Sequence, residues 1–206
     1  MSQPPVLPAG ADAAGGQARL LVIAGPSGVG KGTIVRGILE ALPTAVLSVS
    51  MTTRRPRPGE IDGVDYHFVR DHEFDRAIAA GDLLEWAHVH RHRSGTPRVW
   101  VLEQLQAGRV VVLEIDVKGA LQVRQRAPTD RTLLVFLAPP SFDELVRRLD
   151  ARGTEMGAER ELRLRNAREE MEVAPAFDHV VVNDDVARCV AEVVELIGPP
   201  ARVDGP

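Results

Sequence analysis

The chain has 206 residues, of which 44% are hydrophobic, and a formal net charge of −4. That length supports one compact core with room for a small inserted subdomain. The negative charge argues against a general nucleic-acid-binding protein, because such proteins usually carry a basic field that displaces phosphate counterions. The apolar runs are short and broken by charge, whereas a membrane helix needs roughly 20 apolar residues, so we expect no membrane contact.

The cysteine content and the amino-terminal segment indicate a reducing compartment. Cys189 is the only cysteine, so it has no partner for a disulfide or a thiolate metal site. Residues 1–17 are rich in Pro, Ala, Gly and Gln and lack the basic and apolar regions of a secretory signal. We therefore expect a flexible tail over 1–17, a soluble domain over 18–200 and a cytoplasmic location.

Apolar runs rich in Val, Ile and Leu alternate with helical patterns, which is typical of an α/β fold with a parallel sheet flanked by helices. Continuous apolar runs are typical of strands that are buried on both faces. The predicted core strands are 19–24, 109–115, 131–137 and 179–182. The predicted helices are 31–42, a helix that starts at Ser141 and stops at Gly153, and 186–197.

Two segments interrupt this pattern. Between Leu47 and Arg98, short alternating segments at 47–53 and 64–69 precede a helix at 73–80, which predicts an inserted, partly β subdomain over 48–97. Residues 153–169 are dense in Arg and Glu with sparse apolar positions, which predicts an exposed, mobile lid. The core is then expected over 18–47, 98–152 and 170–200.

A Gly-rich segment lies between the first predicted strand and the first predicted helix. Its glycines let the backbone wrap closely around a phosphate, its N–H groups face the anion, and Lys31 reaches the outer phosphates. A Gly-rich turn that binds nothing is the alternative, and the flanking strand and helix disfavour it. The predicted phosphate-binding (ATP-binding) residues are Gly25, Pro26, Ser27, Gly28, Val29, Gly30, Lys31, Gly32 and Thr33.

Further along the chain, six short motifs occur in a fixed order. They are Ser50-Met-Thr-Thr-Arg54-Arg-Pro-Arg57-Pro-Gly-Glu60, Asp62-Gly-Val-Asp65-Tyr66-His67-Phe68, Glu85-Trp86-Ala87, Glu114-Ile-Asp116, Arg152-Gly-Thr-Glu155 and Val182-Asn183-Asp184. Through these motifs the chain resembles guanylate kinases over about residues 19–197, nearly its whole length. The resemblance implies an enzyme that transfers the γ-phosphoryl group of ATP to GMP, and to dGMP, with Mg²⁺ as cofactor. It also implies a P-loop sheet with an inserted α/β GMP-binding subdomain and a helical lid.

The motif around Arg54 carries the chemistry that an acceptor monophosphate requires. Arg54 and Arg57 are three residues apart and lie close in sequence to the Tyr66 hydroxyl. Their forked donors can grip a dianionic phosphate in a geometry that lysine does not reproduce. The alternative is a solvated basic loop, which the neighbouring prolines and glycine disfavour because they stiffen this cationic turn.

By resemblance, Ser50, Glu85 and Asp116 contact the base of GMP, and Thr96 matches a further hydroxyl position of the family. Guanine presents N1–H and its exocyclic amine as donors and O6 as an acceptor, so carboxylates and a hydroxyl suit it. Adenine presents the opposite pattern, and each mismatched buried polar group costs about 1–3 kcal/mol. For Glu85 taken alone, the less favoured alternative is an ordinary surface glutamate, since glutamate is mostly exposed.

One position in this subdomain departs from the family pattern. Ser94 stands where the family commonly has a tyrosine that helps to hold the GMP phosphate, so one phosphate donor is shorter or lost. Arg91 and Arg93 are candidates to compensate. The alternating histidines at 88–92 lack the cysteines or carboxylates of a metal site, so we interpret them as part of a solvated loop.

The expected metal ligands depart from the usual pattern, because Gly32 stands where a P-loop usually has the Ser or Thr that binds Mg²⁺. Thr33 or a water molecule is expected to replace that ligand. Glu114 and Asp116 end a buried strand at the edge that faces the phosphates. Glu114 is the candidate that orients Mg²⁺ through water, and the alternative is that both acids merely end the strand.

By resemblance, Arg148, Arg152 and Arg163 close over the transferring phosphate and act with Lys31 as the catalytic cations, while Asn183 belongs to the ATP site. The transition state of phosphoryl transfer is loose and spreads charge over three oxygens, so catalysis depends on positioning and on cations. For any single arginine, the alternative is a surface ion pair with a nearby glutamate.

Two other functions stay open. One is a related P-loop kinase with a sugar-phosphate acceptor, because similar folds serve other small phosphates; the base-reading residues argue against it. The other is a non-catalytic binding module of the same fold, which the retained Lys31 and arginines disfavour. The expected partners are the small molecules ATP and GMP, and the sequence does not decide between a monomer and a homo-oligomer.

Overall fold

The protein is described by a computed structural model that covers residues 19–89, 91–127, 130–151 and 158–198. The tail predicted over residues 1–17 lies outside the described residues. Arg152 and residues 153–157, with which the predicted lid begins, also lie outside them. The described ranges form a mixed α/β structure with two sheets. The predicted α/β class is therefore confirmed.

A parallel sheet of five strands forms the centre of the fold. Its strands are β1 (Leu20–Ala24), β2 (Ala45–Leu47), β7 (Val110–Glu114), β8 (Thr132–Ala138) and β9 (His179–Val182). They lie in the order β2-β7-β1-β8-β9, so β1 occupies the middle of the sheet. The four core strands predicted from continuous apolar runs are present within one residue of their predicted ends.

Helices cover both faces of the parallel sheet. They are α1 (Lys31–Ala41), α3 (Arg98–Gln106), α4 (Val117–Arg126), α5 (Phe142–Ala151), α6 (Ala158–Glu172) and α7 (Val186–Ile197). One face packs on α1 and α7 through residues such as Ile38 and Val193, and the other packs on α4 through Ala120 and Val123. All five residues of β1 are buried, which explains its uninterrupted apolar sequence.

A second sheet of four strands lies within the segment predicted to be an insertion. Its strands are β3 (Met51–Thr52), β4 (His67–Phe68), β5 (Leu83–Val89) and β6 (His92–Pro97), in the order β4-β3-β6-β5. Helix α2 (Asp71–Ala80) packs on this sheet through Phe74, whose ring meets that of Trp86 edge-on at 6.4 Å. The insertion therefore has a small core of its own.

Three core elements were not predicted from the sequence: β2, α3 and α4. Strand β2 has three residues, and Leu47 is 39% exposed, so its apolar signal is short and weak. Residue 47 was grouped with the short segment 47–53, whereas it pairs with β7 in the central sheet. Helix α4 follows a strand directly and mixes arginines and glutamines with its buried positions, which obscures its period.

The lid segment contains a helix that reaches beyond its predicted end. Helix α6 continues to Glu172, although the core was expected to resume at residue 170. The reason is that Ala167 is buried in the core and Met171 packs against it, so the last turns of α6 are anchored to the sheet. Leu162, by contrast, is 51% exposed, in agreement with an exposed face.

Candidate active site

The Gly-rich segment forms a phosphate-binding loop between β1 and α1. Gly25 has φ 147°, and a side chain there would meet the Leu137 carbonyl oxygen at 2.3 Å, so only glycine fits. Gly30 has φ 99° and caps the helix that begins at Lys31. The Lys31 ammonium donates to the carbonyl oxygens of Gly25 at 2.7 Å and Pro26 at 3.2 Å, which keeps its charge over the loop.

Two side chains hold this loop from behind. The amide of Asn183 donates to the Val29 carbonyl at 2.8 Å. Arg148 donates to the same carbonyl at 3.4 Å, to the Asn183 carbonyl at 3.1 Å and to the Glu144 carboxylate at 2.8 Å. Both residues were predicted to act on ATP, and in this structure their polar atoms brace the backbone of the loop.

Glu114 lies beside the position where this P-loop departs from the usual pattern. A Cβ built on Gly32 would lie 3.6 Å from both carboxylate oxygens of Glu114, so the missing side chain leaves space in front of that carboxylate. Partial desolvation in the cleft raises the pKa of Glu114, while the charge of Lys31 opposes the shift. Thr33 is exposed in the first turn of α1.

A cleft of about 680 Å³ separates the loop from the second sheet and brings most of the predicted residues together. Its lining includes the predicted residues Gly25, Ser27, Lys31, Ser50, Arg54, Arg57, Tyr66, Glu85, Glu114, Asp116 and Arg163. Thr96 is fully buried just behind Glu85. Arg152 lies outside the described residues. The phosphate loop and the expected acceptor residues thus share one cavity.

Two carboxylates meet at one end of this cleft. The Thr96 hydroxyl donates to Glu85 at 2.7 Å, and the Gly119 N–H donates to Asp116 at 2.6 Å. A Cβ on Gly119 would lie 2.7 Å from a Glu85 oxygen and 3.2 Å from an Asp116 oxygen, so this glycine allows the carboxylates to approach each other. Ser50 lines the same cleft. The sequence-predicted base-reading set is therefore assembled in one place.

Burial shifts the proton affinity of Glu85. The residue is 3% exposed, and desolvation raises the pKa of its carboxyl group to about 7. The hydrogen bond from Thr96 lowers the pKa of Glu85 and the charge of Asp116 raises it, but both effects are smaller than that of burial. Glu85 is not an ordinary surface glutamate, which was the alternative interpretation. A buried carboxylate with so few partners is suited to accept hydrogen bonds from a ligand.

The arginines at the other end of the cleft are organised by Glu60. Arg54 forms a bidentate ion pair with the Glu60 carboxylate, with both N–O distances at 2.9 Å. The Arg57 N–H donates to the same carboxylate at 2.7 Å. These contacts hold the pKa of Glu60 at about 2. The guanidinium of Arg54 also lies over the Tyr66 ring, 5.2 Å from its centroid.

Helix α6 contributes three residues to the cleft, of which only Arg163 was predicted. Arg163, Asn166 and Glu170 are spaced i, i+3, i+7 and therefore share one face of the helix. Desolvation raises the pKa of Glu170, and the charge of Lys31 opposes that shift. The structure fixes the phase of this helix through the buried Ala167, whereas the apolar positions of the segment are too sparse to indicate Asn166 or Glu170 from the sequence.

Arg93 does not compensate for the shortened side chain of Ser94. Its guanidinium forms ion pairs with Asp71, at 2.8 Å, and with Asp75, and it lies over the Phe74 ring. This is the face of the sheet that α2 covers, opposite to the cleft. Successive residues of a strand point to opposite faces, so Arg93 and Ser94 cannot both enter the cleft.

The described part of the chain offers neither a preformed metal cage nor a membrane span. Within it, no group of three or more His, Cys, Asp or Glu side chains is placed to hold a metal ion. Among the same residues, every helix is too short or too polar to cross a bilayer.

The cleft combines a P-loop, an acidic strand end beside it and an arginine-rich pocket. This combination is typical of P-loop kinases that act on small phosphorylated substrates. The family model described as guanylate kinase matches residues 17–199. The chain is 55% identical over 179 residues to the guanylate kinase of Leifsonia xyli, which covers 86% of this chain and 70% of that protein. It is 54% identical over 180 residues to that of Nocardia farcinica, with 86% and 92% covered.

A solved structure gives the same result. The crystal structure of guanylate kinase from Anaplasma phagocytophilum matches with a TM-score of 0.72 at 30% identity, and the match covers 88% of this chain and 85% of that chain. The chain belongs to the guanylate kinase family. The reaction of this family is phosphotransfer from ATP to GMP, and the chain is an enzyme of the nucleoside-monophosphate kinase class.

Proposed function

We propose that this cleft transfers the γ-phosphoryl group of ATP to GMP, with the ATP phosphates on the P-loop and GMP on the second sheet. The observation that carries this assignment is the shared cavity: Lys31 lies on one wall, and Glu85 and Arg54 lie on the other. A phosphate donor and a phosphate acceptor bound to these walls would face each other. Holding two reactants in this way lowers the entropic part of the barrier.

Glu85 and Asp116 supply the acceptor side with its base preference. Their carboxylates accept hydrogen bonds from the N1–H and the exocyclic amine of guanine, and the Ser50 hydroxyl donates to O6. Adenine would present mismatched donors and acceptors to the same groups. Because Glu85 is buried, water would not replace the hydrogen bonds that it loses. This chemistry favours a nucleotide acceptor over a sugar phosphate, because a sugar phosphate has no base to satisfy the buried carboxylate.

The charge of the transferring phosphoryl group is balanced by cations on three sides. Lys31 acts from the P-loop, Arg54 and Arg57 act from the acceptor sheet, and Arg163 acts from the lid helix. We assign Arg148 and Arg152 to the same task when the lid closes. None of these groups forms a covalent bond with the substrate, since a loose transition state needs positioned positive charge and exclusion of water.

The residues around Gly32 fit a Mg²⁺ ion that is shared with the nucleotide. Gly32 leaves open space in front of the Glu114 carboxylate, and Mg²⁺ characteristically uses one or two carboxylates together with waters and substrate phosphates. Glu114 would hold the ion through water, and Thr33 is the neighbouring hydroxyl. The ion would neutralise charge on the ATP phosphates when bound. We also place the enzyme in the cytoplasm, since its only cysteine is buried and unpaired.

The two lysines of the chain provide a matched test of the donor site. Replacing Lys31 with Ala should abolish ADP formation in the presence of GMP, with the fold intact by circular dichroism. Lys118→Ala removes the same charge from an exposed position on α4 and should leave turnover unchanged. Activity of Lys31→Ala within about tenfold of the wild type, which is a barrier change of only about 1.4 kcal/mol, would contradict the assignment.

A further inference from the structure

The row of β6 side chains that faces the cleft ends at His92. Thr96 bonds to Glu85 at the base end, and Ser94 and His92 both line the cleft further along. Side chains at every second position of a strand share a face. These three residues therefore form one continuous row, which runs from the base-reading carboxylate toward the arginines.

The antiparallel pairing of β3 with β6 brings Arg54 and His92 to the same end of the second sheet. Strands β3 and β6 are antiparallel, and just beyond β3 the Thr53 N–H donates to the Arg93 carbonyl at 3.0 Å, while the Arg93 N–H donates to the Thr53 hydroxyl at 3.0 Å. One step further the chain bends, and the Arg54 N–H donates to the Thr52 hydroxyl at 3.3 Å. Arg54 and His92 both line the cleft beyond the paired ends of β3 and β6.

The other residues of this stretch are committed elsewhere. The Ser94 hydroxyl donates to a backbone carbonyl of β3 at 3.3 Å. Arg93 points to the opposite face and is paired with Asp71 and Asp75. On β6, His92 is thus the side chain with both the direction and the length to reach an anion held by Arg54.

We propose that His92 donates a ring N–H to the acceptor phosphate and so contributes, with Arg54, Arg57 and Tyr66, to the affinity for the monophosphate. This role depends on the phosphotransfer to GMP proposed above. His92 is exposed, as expected for a solvated loop, and it also lines the cleft. Hydrogen bonds to a charged acceptor are among the stronger ones in proteins.

The test compares two variants of His92 with a control on the same subdomain. His92→Leu keeps much of the side-chain volume and removes the donor, whereas His92→Gln retains an N–H donor. We expect His92→Leu to raise the KM for GMP about tenfold, equivalent to about 1.4 kcal/mol, with kcat and the KM for ATP little changed. His92→Gln should recover most of the affinity. His72→Leu, at an exposed position on α2, should behave as the wild type.

A ligand without the phosphate separates a phosphate contact from a structural effect. Guanosine should bind to the wild type and to His92→Leu with equal affinity in calorimetry, while GMP binding weakens. An unchanged GMP affinity in His92→Leu, or an equal loss for guanosine and GMP, would overturn the role of His92. If the wild type fails to phosphorylate GMP, the proposed function fails, and the calorimetric comparison of the variants still decides whether His92 contacts the phosphate.

Discussion

The hydroxyl of Thr96 donates a hydrogen bond of 2.7 Å to the Glu85 carboxylate, and both side chains are almost completely shielded from solvent. Burial raises the pKa of Glu85 to about 7, and the Thr96 hydrogen bond opposes that rise. The free protein therefore keeps this group near the midpoint of its titration at neutral pH. Guanine donors would bind its charged form and draw the equilibrium toward the carboxylate.

This relationship predicts a pH dependence of acceptor binding. Because guanine binds to the ionised form of Glu85, the KM for GMP should fall as the pH rises from about 5.5 to about 8 and then level off. The GMP phosphate itself titrates near pH 6, as phosphate monoesters do, so the comparison is with Glu85→Gln. That variant should bind GMP more weakly and lose the component of the profile centred near pH 7. If the KM for GMP had the same pH dependence in the wild type and in Glu85→Gln, the role of Glu85 would be contradicted.

The same carboxylate predicts a pH-dependent change in stability. Its pKa is raised in the folded state above the ordinary value of 4.5, so between pH 4.5 and 7 the folded state binds more protons and stability falls as the pH rises. Glu85→Gln removes this penalty. We expect the variant to gain roughly 2–3 kcal/mol relative to the wild type at pH 8 and much less at pH 4. Denaturant unfolding at both pH values measures the difference, and equal effects at both would argue against it.

The ion pair of Arg54 and Glu60 predicts a selective loss of acceptor affinity. Glu60→Gln keeps an acceptor for the Arg57 N–H but removes the charge that orients Arg54. The KM for GMP should rise about fivefold to tenfold, with the KM for ATP unchanged. Glu73→Gln is the matched control, because Glu73 also accepts a backbone N–H, that of Arg70 at 2.7 Å, on α2. An effect of equal size in both variants would indicate a general effect of subdomain stability.

Alanine variants of two glycines distinguish a loss of folding stability caused by backbone strain from a loss of ATP binding at the phosphate loop. Gly30 and Gly108 have left-handed φ values of 99° and 75°. Replacing either with Ala should cost roughly 1–2 kcal/mol of folding stability. A Cβ at Gly30 would also lie 2.7 Å from the Asn183 amide nitrogen, whereas one at Gly108 meets nothing within 4 Å. Only Gly30→Ala should lose ATP binding in calorimetry; a comparable loss in Gly108→Ala would refute the assignment.

The parts of the fold that the sequence predicted well are those with a dense local signal. The run Val110–Glu114 is apolar until its last residue because both faces of the strand are buried, and the Gly-rich loop needs glycine at positions such as Gly25 for steric reasons. Helix α6 was harder to predict, because most of its surface is exposed and only a few positions, such as Ala167, contact the core. Its apolar period is therefore weak.

Side-chain direction accounts for the remaining differences in the site. Arg93 was a reasonable candidate for a phosphate contact by charge and sequence position. Arg93 lies three positions from Thr96 on β6, so the two side chains point to opposite faces of the sheet. Arg93 is on the face that α2 covers. In this structure Arg148 donates to carbonyls behind the P-loop, and its contact with the transferring phosphate stays a prediction. Such choices depend on tertiary contacts that a single sequence does not reveal.

The most direct test of ATP:GMP phosphotransfer is a coupled assay of ADP formation with ATP and Mg²⁺, in which GMP, dGMP, AMP, CMP and UMP are offered in parallel. The assembled set of Ser50, Glu85 and Asp116 predicts a strong preference for GMP over AMP and the pyrimidine nucleotides. A preference for AMP, or no turnover with any of the five acceptors, would contradict the account.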